Sequence, residues 1–355
     1  MSATWKNNIE ISIFGESHGK AIGVLLGNLP SGIILDKEFI HQEMQRRAPG
    51  KNKMSTARVE KDEVEIMSGV LEGKTTGAPL MAMIYNNDQH SKDYSVLKTH
   101  MRPGHSDYPA YIKYLGFNDV RGGGHFSGRI SAPIVFAGAI AKLILKQKGI
   151  EIVGHMSAIE NIQDDLFETT ITKQTVQLLQ EQVYPVLNKA IYSKMQEAIE
   201  TARMDQDSVG GKIECAILGI PAGIGEPFFD SIESHLASLM FSVPAVKGIH
   251  FGNRQISQLK GSQANDCYVY QGEKVTCLTN NNGGITGGIS NGMPIIFEVA
   301  LKPTPSISKQ QNTINVETKE NTTLEVHGRH DPCIVPRAIV VIEAMAAITM
   351  LDFMR

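Results

Sequence analysis

The chain has 355 residues, 42% hydrophobic and 20% charged, with 34 Lys+Arg against 37 Asp+Glu for a formal net charge of -3. These proportions exclude a disordered chain, a collagen-like chain and a disulfide-stapled miniprotein. The near-neutral balance argues against a general nucleic-acid binder, so any anion site has to be assembled locally from Arg, Lys and His.

Residues 9–14 and 21–26 read as short strands on either side of the turn Gly15-Glu16-Ser17-His18-Gly19. Asp36 is an N-cap for a helix that carries Phe39, Ile40, Glu43, Met44 and Arg47 at helical spacing and ends at Pro49-Gly50. The polar stretch 51–61 reads as an exposed loop, and residues 64–67 and 80–85 as strands around the turn-rich stretch 72–77. Residues 130–148 and 337–354 are apolar on nearly all sides, the pattern of helices buried in the middle of a protein, and Pro336 suits the first turn of the second one. Residues 174–202 are amphipathic and read as a surface hairpin of helices, whereas 209–218 and 294–301 read as strands. No repeat, low-complexity tract or linker interrupts the chain, which reads as one interwoven domain, 1–355, with helices buried between other layers.

Cys215, Cys267, Cys277 and Cys333 form no C-x-x-C pair, so no metal site is expected. Their wide spacing and the lack of a signal-peptide pattern in the first eight residues fit a reducing cytoplasm. The late apolar stretch 338–351 is too short to span a bilayer and is interrupted by Glu343.

Five segments carry chemistry. Gly15-Glu16-Ser17-His18-Gly19 matches the G-x-S-x-G elbow of serine hydrolases, but that elbow runs into a helix and this one runs into a strand pattern. It equally reads as a tight turn presenting His18 with Ser17 as its hydrogen-bond partner. Arg102-Pro103-Gly104-His105 precedes a helix capped at Ser106 or Asp107. Asp119-Val120-Arg121-Gly122-Gly123-Gly124-His125-Phe126-Ser127-Gly128-Arg129 runs into the first apolar helix, as a glycine-rich anion cradle does, without the spacing of a P-loop or a Rossmann turn. A second glycine-rich stretch, 282–292, leads through a strand to Lys302-Pro303-Thr304-Pro305-Ser306. Gly328-Arg329-His330-Asp331-Pro332-Cys333 precedes Arg337, whose first-turn position makes sense if an anion sits there.

In this order, the set resembles the chorismate synthase family. Supporting matches are Asp62-Glu63-Val64-Glu65-Ile66, Ser68-Gly69-Val70 and Glu72-Gly73-Lys74-Thr75-Thr76-Gly77. The chain departs from the family where the glycine-rich segment commonly continues Arg-Ser-Ser-Ala-Arg-Glu-Thr and here reads His125-Phe126-Ser127-Gly128-Arg129-Ile130-Ser131; Lys53 stands where many members have Arg.

The resemblance implies an α/β protein of the α+β type, a β-α-β sandwich with buried apolar helices between antiparallel sheets, assembled as a homotetramer. It implies reduced FMN (FMNH2) as cofactor and 5-enolpyruvylshikimate-3-phosphate as substrate, which loses phosphate from C3 and a proton from C6 to give chorismate. By family position His18, His105 and Asp331 are catalytic: His18 protonates the departing phosphate, His105 serves the flavin N1 region, and Asp331 lies near N5. Ser17, Arg47, Ser127, Gly128, Arg129 and Arg337 hold the substrate. His125, Phe126, Ser127, Pro244, Ala245, Gly287, Lys302, Pro303, Thr304, Pro305, Ser306 and Arg329 hold the flavin. Asp352 competes with Asp331, but it lies 15 residues beyond Arg337 on one helix, roughly 22 Å at about 1.5 Å per residue. The chain shows no dinucleotide fingerprint, so an external flavin reductant is expected. Two other classes are a serine hydrolase using Ser17 and a non-catalytic flavin-binding protein.

Overall fold

The computed structural model describes residues 3–48, 62–86, 96–326 and 330–355. The chain divides into two compact units: Met1–Ala137 with Gln196–Gly210 and Pro303–Arg337, and Gly138–Met195 with Gly211–Lys302 and Ala338–Arg355.

The first unit begins with strands β1 (Thr4–Lys6), β2 (Glu10–Gly15) and β3 (Ala21–Gly27) and helix α1 (Lys37–Arg47). It continues with β4 (Glu65–Ser68), the small hairpin β5 (Val70–Leu71) and β6 (Lys74–Thr75), β7 (Leu80–Tyr85) and helix α2 (Asp107–Lys113). The order β1-β2-β3-β7-β4 makes a five-stranded sheet in which every pairing is antiparallel. Alternation explains its buried face: Ile22, Val24 and Leu26 on β3 meet Ile84, Ala82 and Leu80 on β7, all almost fully buried. Helix α1 starts where Asp36 places it, the carboxylate accepting the Phe39 N–H at 3.0 Å. Its expected stop at Pro49-Gly50 and the loop 51–61 lie outside the described residues.

Helix α3 (Ser131–Gln147) is followed by β8 (Glu151–Ile159), β9 (Ile162–Gln163), α4 (Lys173–Glu181), α5 (Lys189–Met204), β10 (Gly211–Leu218), α6 (Ile232–Met240) and β11 (Val246–Phe251). Then come α7 (Gly261–Ala264), the hairpins β12 (Tyr268–Gln271) with β13 (Lys274–Cys277) and β14 (Ile285–Thr286) with β15 (Ile289–Ser290), and β16 (Ile295–Leu301). The second unit is built on the antiparallel sheet β11-β16-β10-β8-β9. The expected helical hairpin over 174–202 is two helices separated by residues 182–188, which include Pro185. The hairpin β17 (Gln311–Asn315) with β18 (Glu320–Leu324) belongs to the first unit, and helix α8 (Val335–Phe353) completes the chain.

The two apolar helices are found at 131–147 and 335–353, close to the bounds their patterns set. In the second unit α8 packs on β8 of its sheet. Gly154 on β8 faces Ile339 and Glu343, and Glu343 accepts the Gly154 N–H at 2.9 Å and Lys142 Nζ at 2.6 Å. Gly138 lets α3 approach α8 closely, for a Cβ there would stand 2.2 Å from that of Ala344. Residues 128–147 are the stretch, among the described residues, long and apolar enough to cross a membrane; 89% of it is buried within the protein, as in a core helix.

Candidate active site

The turn between β2 and β3 presents Ser17 and His18, each 2% exposed. The Ser17 N–H donates to Gly124 O at 3.1 Å, and Ser17 Oγ donates to Arg121 O at 3.1 Å. With the hydroxyl proton committed there, the 3.1 Å bond between Ser17 Oγ and His18 Nδ1 has the imidazole as donor. Proton exchange with a ligand then falls to His18 Nε2. Because β3, not a helix, follows the turn, the hydrolase elbow is not formed. Asn86 straps the turn from β7, donating to Glu16 O at 3.1 Å and Gly19 O at 2.9 Å.

The glycine-rich segment closes over this turn. Gly122, Gly123 and Gly124 take φ values of 58°, 89° and 56°. A Cβ at Gly122 would fall 2.2 Å from His18 Cε1, and one at Gly123 would stand 3.3 Å from His105 Nε2. The segment therefore brings His18 and His105, 87 residues apart in sequence, to two neighbouring glycines. His125 Nδ1 bonds Gly15 O at 2.8 Å, while Phe126 is 37% exposed and tilted against Tyr114. Ser127 accepts the Arg129 N–H at 3.3 Å, and Gly128 is exposed beside it.

Asp107 organises the next group. It takes Arg102 Nε at 2.7 Å, Arg102 Nη2 at 2.8 Å and the Arg102 N–H at 3.1 Å, and it meets His105 Nδ1 at 2.6 Å. Burial pushes this carboxyl up, but the hydrogen bonds and charges of Arg102 and His105 outweigh it and hold Asp107 well below the usual carboxylate range. Ser106 occupies the N-cap position of α2 without a side-chain capping bond. Arg102 Nη1 reaches Ser306 Oγ at 3.1 Å, drawing in the end of the 303–306 run. In that run Pro303 is exposed, Thr304 and Pro305 are half-buried, and Thr304 O accepts Ser208 Oγ at 2.7 Å. The hairpin β17–β18 sets this level: Thr313 Oγ1 donates to Met101 O, and Leu324 and Val326 pack on Leu97.

A third group is cationic. Arg47 donates Nε and Nη2 to Asp62 Oδ2 at 3.1 and 2.7 Å, Arg129 Nη1 bonds Asp62 Oδ1, and Arg129 Nε reaches Asn86 Oδ1 at 3.1 Å. All three charged side chains are almost fully buried. Burial raises Asp62, and the two guanidinium charges with their hydrogen bonds more than reverse it, so its carboxyl lies below its ordinary value. Arg337 donates Nε to Arg47 O at 3.0 Å and Nη1 to Asp331 Oδ2 at 2.5 Å.

The first unit thus brings together Ser17, His18, Arg47, His105, His125, Phe126, Ser127, Gly128, Arg129, Ser306, Asp331 and Arg337 through a continuous set of bonds and short approaches. Pro244, Ala245, Gly287 and Lys302 belong to the second unit, where Lys302 N–H donates to Ala245 O at 2.9 Å and Gly287 is exposed. Arg329 lies outside the described residues. Asp62, Asn86, Arg102 and His330 carry no role in the sequence reading, and Asp107 only that of a helix cap; Asp62, Arg102 and His330 stand inside the family's motifs, and that membership is the available signal. A cleft of about 260 Å³ is lined by the 118–121 stretch with Lys98, Asp107 and Tyr111 among others, and its lining does not include His18 or His105.

A family model described as chorismate synthase matches residues 9–354. A chorismate synthase of Dehalococcoides mccartyi (strain ATCC BAA-2266 / KCTC 15142 / 195) is 44% identical over 354 residues, covering 99% of this chain and 96% of that protein. One from Lachnoclostridium phytofermentans is 46% identical over 347 residues, covering 97% and 93%. A crystal structure of chorismate synthase superposes with a TM-score of 0.76 at 27% identity, covering 97% of this chain and 91% of the other.

Proposed function

Because the chain belongs to the chorismate synthase family, we propose that the side chains gathered in its first unit are the family's catalytic and substrate-binding set. The activity is that of a carbon–oxygen lyase: 5-enolpyruvylshikimate-3-phosphate loses phosphate and the C6 proton by anti-1,4-elimination to give chorismate, the last common step toward the aromatic amino acids. The family works with a reduced flavin, and we take it to be FMN here.

The residues present fit such a group. Thr304 Oγ1, within the 302–306 run, is buried with no hydrogen-bond partner among the described residues, and the glycines at 122–124 bring the backbone close against His18 and His105. By family position its proposed contacts are His125, Phe126, Ser127, Pro244, Ala245, Gly287, Lys302, Pro303, Thr304, Pro305, Ser306 and Arg329. When bound, a reduced flavin would supply the transient electron density and the hydrogen acceptor that the elimination needs.

The chain's own side chains bind, orient and move protons. The substrate carries two carboxylates and a phosphate, and Arg47, Arg129 and Arg337 converge through Asp62 and the Arg47 carbonyl to neutralise them. By family position Ser17, Ser127 and Gly128 are further proposed substrate contacts. His18, held through Nδ1 by Ser17, delivers a proton from Nε2 to the departing phosphate. His105 serves the flavin side of the site, and the Asp331 carboxylate assists removal of the C6 proton. Burial of Ser17, His18, Arg47 and Arg129 keeps water from these charges.

We also take residues 1–355 as one functional domain, assembled as a homotetramer in the cytoplasm and supplied by an external flavin reductant; the missing dinucleotide fingerprint supports the last point. The observation that carries the reading is the approach of the glycine segment to both His18 and His105. Anaerobic assay with chemically reduced FMN tests it. Chorismate is expected with reduced FMN and absent with oxidised FMN or NADPH alone; robust turnover under air without any flavin reductant overturns the cofactor assignment.

A further inference from the structure

We propose that Asp107 is the positioning residue for His105: its carboxylate holds the imidazole at Nδ1 and so commits Nε2 to the side of the glycine segment. This rests on the reading of His105 as a flavin-side residue.

The geometry is over-determined. Asp107 Oδ1 meets His105 Nδ1 at 2.6 Å. The same carboxylate cannot swing, because Arg102 grips both of its oxygens with Nε, Nη2 and the backbone N–H. Arg102 is fixed in turn by Ser306 Oγ at 3.1 Å. A carboxylate is acceptor-only, so Nδ1 must carry the proton, and that sets the tautomer and ring plane. The far nitrogen, Nε2, then looks at Gly123, where even a methyl group would come within 3.3 Å. The Asp107 side chain is 7% exposed, so the bond is shielded from water.

The titratable and charged groups around His105 are Asp107 and Arg102 from its own segment, with Ser106 Oγ 3.5 Å from Nδ1, and His330 from the segment before α8; Asp331 acts on His330. His330 lies in the same cluster. Burial, reinforced by the Arg102 charge, pushes it down to about 4 against the pull of Asp331, so it is neutral at physiological pH.

The test is a pH titration by NMR of the full-length, ligand-free protein labelled with 15N-histidine, with His105→Gln used to assign the resonance. Nδ1 of His105 is expected to carry the proton in the neutral wild-type ring. Asp107→Asn, which retains the shape and can still accept from Arg102, is expected to lower the His105 titration midpoint; Asp107→Glu restores it at least in part. Turnover of Asp107→Asn should fall roughly 10-fold or more, with the substrate KM little changed. An unchanged midpoint in Asp107→Asn, or a loss confined to KM, overturns the proposal. Should Asp107→Asn fail to fold, the wild-type spectrum decides: a neutral ring protonated at Nε2 rather than Nδ1 overturns it. Absence of chorismate formation by the wild type with reduced FMN would instead defeat the functional reading, while the titration still decides the Asp107–His105 pairing.

Discussion

Arg337 Nη1 and Asp331 Oδ2 are bonded at 2.5 Å, so the arginine proposed to clamp the substrate already holds the carboxylate proposed to assist proton removal. The same guanidinium donates Nε to Arg47 O at 3.0 Å and therefore connects two of the proposed substrate-binding arginines. Its planar fork serves two acceptors at once, which a lysine ammonium cannot do in that geometry.

Arg337→Lys is accordingly expected to weaken substrate binding although charge is kept. Charge-assisted hydrogen bonds are worth about 1.5–3 kcal/mol, so losing one should cost roughly 10- to 100-fold in affinity. FMN affinity should change little. Anaerobic titration of both ligands against wild type and variant checks this; a loss confined to FMN would put Arg337 in the wrong subsite.

Asp62 holds Arg47 and Arg129 on its two oxygens with no exposed side-chain surface. Asp62→Ala leaves two buried cations facing each other and should destabilise the protein by about 3–5 kcal/mol. Added phosphate or substrate should recover more stability in the variant than in wild type, because an anion can replace the missing carboxylate. Since its folded pKa is depressed, the stabilisation by Asp62 is full above its ordinary value of 3.8 and is lost as pH falls below that toward the folded value. Unfolding curves of both proteins between neutral pH and pH 3 should converge; parallel curves would contradict the ion-pair assignment.

What was legible in the sequence was what is local. The Asp36 cap, the two all-round apolar helices and the strands at 80–85 and 294–301 follow from side chains within one element, and they stand within a residue or two of their expected bounds. The strand order was not legible, because β16 inserts between β10 and β11 after the chain has passed through four further strands. The site divides in the same way. His18 and Ser17 are neighbours and their bond could be foreseen, whereas Asp62 meets Arg129 across 67 residues and Asn86 meets the 16–19 turn across about as many. No periodicity encodes such a meeting; only the packed sheet produces it.

His18→Ala should lower turnover by roughly 100-fold or more while FMN binding is nearly kept, as befits a lost proton donor. His18 is buried against Ser17 and Gly122, so thermal unfolding of the variant should accompany the assay. Turnover close to wild type would return His18 to a packing role.

Gly122→Ala tests the closure of the glycine segment over the turn. The site has φ of 58°, and the added methyl would stand 2.2 Å from His18 Cε1. Backbone strain of about 1–3 kcal/mol adds to the clash, so turnover should fall at least as far as in His18→Ala. Gly261→Ala, with open space around it and an ordinary backbone, is the matched control and should leave stability within about 0.5 kcal/mol. Equal behaviour of the two variants would show that residue 122 does not pack on His18.

His155 offers a test within the second unit. It is fully buried on β8, with Nδ1 at 3.1 Å from Asp164 and Nε2 at 3.0 Å from Glu214, and its ring stands edge-on to Phe167. Asp164 also accepts the Leu187 and Asn188 N–H groups at 2.6 and 2.9 Å, so the imidazolium helps anchor the segment that enters α5. Burial alone would lower His155, but hydrogen bonds and charge from both carboxylates raise it above 6.5. A raised histidine stabilises fully below its unfolded value and ceases to do so as pH rises through the folded one. At pH 6, His155→Gln should therefore be less stable than wild type by about 3–5 kcal/mol, since it leaves two buried carboxylates without their cation. The gap should narrow as pH is raised above 6.5 and through the folded value, because the wild type loses its own imidazolium there. Urea unfolding of both proteins across that range measures it, and a gap that stays constant with pH would mean that His155 is held neutral.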